Sequence, residues 1–144
     1  MLLHGVNHNM FGKRDPKQYG TITLDGINKK VDDLAKELDI EVTNFQTNNE
    51  GEFVDKIHEA YLEGYDGVML NAGAWTHYSH AIGDALRMLE CPVIELHMSN
   101  VHAREEFRKE SKTAPACIGQ MCGFGEKGYV LAMEALEDYI TKNK

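Results

Sequence analysis

Gly67-Val-Met-Leu70, running straight into Asn71-Ala-Gly-Ala-Trp-Thr-His77, is the stretch on which the fold turns. A short apolar run with polar flanks marks a strand covered on both faces, as in a parallel sheet packed between helices. The run stops abruptly at the polar Asn71–Ser79, so a binding loop is expected to begin there. Outward from this point the pattern repeats. Pro92–Leu96 is a second buried strand and ends in His97–Asn100. Met1–His4 is a third, closed by Gly5 and followed by Val6–Gly20, which has no sustained period and reads as a long loop. Glu41–Gln46 alternates in the manner of a mixed or edge strand, and Ala116–Cys122 supplies a fifth, weakened by Gly119.

Helical spacing fills the intervals. Leu24, Ile27, Val31, Leu34, Ala35 and Leu38 follow a Thr23 N-cap, and Phe53, Ile57, Ala60 and Tyr61 mark a helix ending near Gly64. Ala81, Ala85, Leu86 and Leu89 give a third helix, and Tyr129, Val130, Met133, Leu136, Tyr139 and Ile140 the closing one. Asn100 is placed to cap a turn or two over Val101–Arg108. Strands alternating with helices, without repeats, predict an α/β chain: a flavodoxin-like three-layer sandwich around a five-stranded parallel sheet, one domain over residues 1–144. Ligands of such sheets bind beyond the carboxyl ends of the strands. Gly5–Gly20, Asn71–Ser79 and His97–Asn100 should therefore converge on one edge.

Fifteen Lys and Arg against 23 Asp and Glu give a net charge of −8, which repels phosphate backbones and anionic lipid heads. Nucleic acid and membrane surfaces are not expected partners, and an anionic substrate must be met by a few local donors. No apolar run approaches the roughly 18 residues of a spanning helix, so a cytoplasmic location is expected. Cys91, Cys117 and Cys122 are odd in number, lack CxxC spacing and read as buried thiols.

Arg14 and Tyr19 share the first loop, close enough for the guanidinium to favour an ionised phenol; the alternative is a surface arginine beside a half-buried tyrosine. A phenol, titrating near 10 in water, needs such a cation to serve as a base near neutrality. Asn71, Thr76 and His77 sit just past a buried strand, where His77 is an acid, an anchor or a solvated loop residue. Glu95 is a polar residue inside an apolar strand, costly to bury unless paired, and His97 lies two residues on, on the same face. The pair either orients a proton donor or is a structural ion pair. Ser99 and the backbone around Met98–Asn100 sit at a helix start, suited to a carboxylate or only to capping. Arg104 and Arg108, at i and i+4, are read as two guanidiniums on one helical face, with Glu105 and Glu106 as competing partners.

Seven histidines raise the question of a metal, but no close pair has a carboxylate or cysteine in a ligand frame, and none is expected. Gly123-Phe-Gly125-Glu-Lys-Gly128 spells GxGxxG before a helix, yet follows the last strand and lacks the acidic residue about 20 positions on in a βαβ unit.

Four stretches in order, Gly12–Gly20, Leu70–His77, Glu95–Arg108 and Gly123–Tyr129, resemble the type II 3-dehydroquinate dehydratases over nearly the whole chain. The resemblance implies a cofactor-free lyase that converts 3-dehydroquinate to 3-dehydroshikimate and water through an enolate, in aromatic biosynthesis or in quinate breakdown. It implies a homododecamer, a tetramer of trimers. Position by position, Tyr19 matches the base, Arg14 the residue favouring its phenolate, and Asn7 the asparagine holding a water at the enolate oxygen. His97 matches the acid, oriented by Glu95. Asn71, His77 and Arg108 match contacts to substrate hydroxyls, Ser99 and the Met98 backbone the carboxylate site, and Asp84 a residue reaching a neighbouring subunit's active site. The chain departs from the family's Asn-Gly-Pro-Asn-Leu opening, reading His4-Gly-Val-Asn-His8, which puts a titratable group beside the loop. Two other readings are a non-catalytic flavodoxin-like module binding a small carboxylic acid, and a flavin or nucleotide carrier using Gly123–Gly128.

Overall fold

In the computed structural model, which describes residues 1–144, five strands form one parallel sheet: β1 (Leu2–His4), β2 (Asn44–Gln46), β3 (Val68–Asn71), β4 (Val93–His97) and β5 (Gly119–Cys122). Their spatial order is β2-β1-β3-β4-β5. The helices are α1 (Pro16–Tyr19), α2 (Leu24–Glu37), α3 (Glu50–Leu62), α4 (His80–Leu86) and α5 (Lys127–Lys142).

The strand period of two divides the core between the faces. Leu3 and Leu70 pack with Phe53 and Ile57 of α3 and Ile82 and Leu86 of α4. Their neighbours Leu2 and Met69 pack on the other side with Ile27 and Val31 of α2 and Tyr129 and Met133 of α5. Burial on both faces explains why β3 reads as an apolar run and β4 as one interrupted by Glu95, and the three-layer flavodoxin-like order follows. That order reverses between β1 and β3, so the crevice of the fold opens beyond their carboxyl ends. The two exits approach closely: Gly5 N–H donates to the Asn71 carbonyl over 2.8 Å, and a Cβ on Gly5 would sit 2.4 Å from the Ala72 oxygen.

Three expectations need correction. Val6–Gly20 is not wholly irregular: it holds a 3-10 turn at His8–Met10 and the single-turn α1, capped by Asp15, which accepts from Lys17 N–H over 3.0 Å, with Pro16 at the first position. Four residues are too few to show a period. Val101–Arg108 forms two 3-10 turns, Val101–Ala103, with the expected Asn100 cap, and Glu106–Lys109. Arg104 lies between them in extended backbone, so it and Arg108 do not share a helical face. The three cysteines are free and only partly buried.

Candidate active site

Glu95 is fully buried in β4, and its Oε2 lies 3.5 Å from Nε2 of His97, on the same strand face. That is an ion-pair distance, long for a hydrogen bond. Four other donors surround the carboxylate: the hydroxyls of Thr76, Ser111 and Thr113, and the side-chain amide of Gln120. Burial alone pushes the Glu95 carboxyl up, but His97 together with the Thr113 and Thr76 hydroxyls outweighs it and holds the group at about 2. Glu95 is therefore an anion. It favours a proton on Nε2 of His97 and leaves Nδ1 as the nitrogen that can exchange one with a ligand. The sequence pointed to the Glu95–His97 pair but not to its donors, because Ser111 and Thr113 are remote in the chain and ordinary in type.

His77 closes the 3-10 turn Gly73–His77 that follows β3. Its Nδ1 lies 2.8 Å from the Glu110 carbonyl oxygen. A carbonyl only accepts, so Nδ1 carries the hydrogen. Burial lowers the pKa, leaving a neutral ring whose Nε2 lone pair is an acceptor. The ring stacks near that of His97, centroids 6.2 Å apart at 17°, and meets the edge of the exposed Phe107 at 5.6 Å.

Tyr19 ends α1, half-buried, with Phe11 packed 6.1 Å away. Two guanidiniums attend it. Arg14 lies over the ring face, Cζ 3.9 Å from the centroid. The hydroxyl itself receives Nη1 of Arg104 over 3.1 Å, and the same nitrogen reaches Ser99 Oγ over 2.9 Å. Arg104 is thus a site residue that spacing assigned only to a helical face; its signal was its closeness to Ser99. Arg108 stands further out, its Nε 2.7 Å from Glu105 and its guanidinium over Phe107 at 4.7 Å.

The remaining candidates divide. Asn71 is buried, its Oδ1 accepting from Gly73 N–H and its Nδ2 donating to Tyr129. Asn7 is exposed after β1, in left-handed backbone at φ 69, with its N–H bonded to Asn48 Oδ1. Met98 and Ser99 are buried at the exit of β4. The glycine motif serves that exit rather than a phosphate: Gly123 N–H donates to the His97 carbonyl over 3.3 Å and Gly125 N–H to that of Met98 over 2.9 Å. Gly123 has φ +96, and a Cβ there would lie 3.2 Å from that of Asn100. Asp84 is not in this chain's own cluster. It projects from the second turn of α4, 80% exposed, paired with Arg87 at 3.0 Å.

His8 and His4 are both buried next to the first loop, rings 6.4 Å apart, and His8 stacks on Phe11 at 4.6 Å. Burial, aided by His4, Arg14 and His97, holds His8 well below its usual value, and burial takes His4 to about 4. Neither is charged near neutrality. Burial also raises the thiols, Cys117 to about 12. No group of three or more His, Cys, Asp or Glu side chains is arranged to hold a metal ion. The largest cavity, about 610 Å³, lies among Met1, Ile40, Tyr65 and Ile140 at the amino end of the strands and holds none of these groups. A 400 Å³ cavity is lined by Tyr19, Met98, Ser99 and Phe124.

Residues 1–137 match the family model described as dehydroquinase class II. A 3-dehydroquinate dehydratase of Leptothrix cholodnii is 51% identical over 144 residues, covering 100% of this chain and 97% of the relative. One from Syntrophotalea carbinolica is 54% identical over 97% of this chain and 95% of its own. The crystal structure of type II dehydroquinase from Butyrivibrio crossotus superposes with a TM-score of 0.92 at 44% identity, covering 94% of each chain.

Proposed function

The chain belongs to the class II dehydroquinase family and is by that membership a hydro-lyase acting on 3-dehydroquinate; from this premise we propose how its side chains divide the work. Tyr19, as phenolate, takes the proton from the carbon beside the ketone. The electrons of that C–H bond move into an enolate, with Asn7 holding a water against the enolate oxygen. His97 then gives a proton to the departing hydroxyl, the enolate collapses, and the conjugated enone and water are released. The bases and acids return to their starting states through solvent.

The observation that carries this reading is the pair of cations on one phenol: Arg104 on the hydroxyl at 3.1 Å and Arg14 on the ring face at 3.9 Å. One guanidinium donates to the oxygen and the other covers the ring, so the phenol that the proposal makes the base is in contact with both. Proton abstraction next to a ketone needs a base and a stabilised oxyanion, and acid assistance only when the hydroxyl leaves. His97, backed by anionic Glu95, suits the second task. His77, neutral with an acceptor nitrogen, and Asn71, with a donor to spare, suit substrate hydroxyls. Ser99 and the Met98 backbone suit the carboxylate. Arg108 spends Nε on Glu105 and keeps its two Nη groups for a hydroxyl.

The rest of the proposal is a single catalytic domain over residues 1–144, without cofactor, cytoplasmic, in aromatic biosynthesis through the shikimate pathway. It assembles as a homododecamer, a tetramer of trimers, in which the exposed Asp84 enters a neighbour's site. Nucleic acid and membranes are not partners, and no helix is long and apolar enough to cross a membrane. Incubation with 3-dehydroquinate, followed by the ultraviolet absorbance of the enone, tests the activity. Steady product growth without added metal or nucleotide is expected, and no growth would overturn it.

A further inference from the structure

Tyr129 is 1% exposed at the start of α5, and its hydroxyl lies 2.9 Å from Nδ2 of Asn71 at the end of β3. The Asn71 amide has a single orientation compatible with its partners. Gly73 N–H can only donate, so the atom 3.2 Å from it is Oδ1, and the atom facing Tyr129 is the NH₂ group. One Nδ2 hydrogen is thus consumed by Tyr129 and one remains. The hydroxyl that receives it is backed by the ring of His4, centroid 5.6 Å from that of Tyr129. His4 is pinned through Nε2 to Asn28 Oδ1 at 2.8 Å, which makes Nε2 the donor nitrogen. Burial pushes the Tyr129 hydroxyl up, so it stays neutral.

We infer that Tyr129 is a positioning residue for the dehydration: by holding one N–H of Asn71 it aims the other at a substrate hydroxyl oxygen. The glycine motif spends the N–H groups of Gly123 and Gly125 inside the chain, and this gives its segment a joint purpose. Gly123 and Gly125 hold the carbonyls of His97 and Met98 at the end of β4, while Tyr129, next in the same segment, holds the side chain at the end of β3. One segment sets the relative positions of the acid and of a substrate donor. Gly73 N–H sets which end of the amide faces outward, and the Tyr129 hydroxyl sets the angle at which the remaining N–H is presented.

This inference rests on the dehydratase reading, so the parent's turnover is measured first; its absence would count against that reading and not against the Tyr129–Asn71 bond. With turnover in hand, Tyr129→Phe, Asn71→Ala and the double variant complete a mutant cycle. Tyr129→Phe keeps the ring, and thermal melts report its fold. Loss of one aimed substrate hydrogen bond should lower kcat/KM roughly tenfold, mainly through KM. In the Asn71→Ala background the same change should cost less than twofold. An equal loss in both backgrounds would show a merely structural tyrosine and overturn the inference. A second measurement uses the parent protein and needs no folded variant. In ¹⁵N-labelled protein the two Nδ2 protons of Asn71 should be resolved, with one exchanging at least tenfold more slowly than the other. Equal exchange of both would overturn it.

Discussion

Arg104 and Tyr19 are 85 residues apart in sequence and meet at 3.1 Å, guanidinium Nη1 to phenolic oxygen. Arg14, five residues from Tyr19, covers the ring instead. The cation that touches the phenolic oxygen, the proposed base, is therefore the distant one.

Arg104→Ala should cost more turnover than Arg14→Ala, because it removes the donor on the oxygen and also frees Ser99. A fall of about 10²–10³-fold in kcat is expected for the first, in the range of a lost oxyanion donor. Steady-state rates of the two variants check this; a milder effect than that of Arg14→Ala would contradict it.

Glu95 predicts a pH-dependent stability. Its carboxyl is held at about 2 against an ordinary value of 4.5, so the native state binds its proton less readily than the unfolded chain. Its stabilisation is then fully present above about 4.5 and is lost as pH falls through about 2. Glu95→Gln should destabilise the protein at pH 7, and the gap to the parent should narrow between pH 4.5 and 2. Urea unfolding at several pH values measures the gap, and a constant one would mean that the carboxylate's charge is not what its neighbours stabilise.

His77 is held neutral by burial, with Nδ1 committed to the Glu110 carbonyl. His77→Ala should raise KM for 3-dehydroquinate by roughly five- to thirtyfold, the worth of one hydrogen bond, with a smaller change in kcat. Loss of kcat at unchanged KM would instead give His77 a role in proton transfer.

Asp84 predicts a shared site. It is in the second turn of α4, past the region where the helix dipole rewards an acid, and its side chain is 80% exposed. Dilution to monomers should abolish turnover of the parent, and Asp84→Ala should raise KM in the assembled protein while leaving the melt unchanged. Sedimentation run alongside the assay decides this, since a fully active monomer leaves Asp84 with no shared role.

The fold was legible wherever burial leaves a period. Apolar runs, interrupted in β4 by Glu95, marked β3 and β4, and the i, i+3, i+4 spacing with Thr23 marked α2, whose Gly26 N–H bonds the Thr23 hydroxyl at 3.1 Å. What stayed hidden was short or remote. The single turn of α1 has no room for a period, although Asp15-Pro16 was its signal. Of the site, Glu95, His97 and His77 stood out because polar groups in or just past a buried strand demand partners, and Tyr19 because it shares the first loop with Arg14. The partners themselves, Arg104 for Tyr19 and Ser111, Thr113 and Gln120 for Glu95, are brought in by tertiary packing that local spacing does not record. The i and i+4 spacing of Arg104 and Arg108 misled because the backbone breaks into two 3-10 turns between them.

The central claim is that the Tyr19 hydroxyl is the base, and its most direct test is kcat of Tyr19→Phe at saturating 3-dehydroquinate, read by enone absorbance with substrate affinity followed by calorimetry. The ring and its stacking on Arg14 remain, so affinity should hold within a few-fold while kcat falls by roughly 10²–10⁴-fold, the usual worth of a positioned general base. A variant that keeps kcat within a few-fold of the parent would contradict the account.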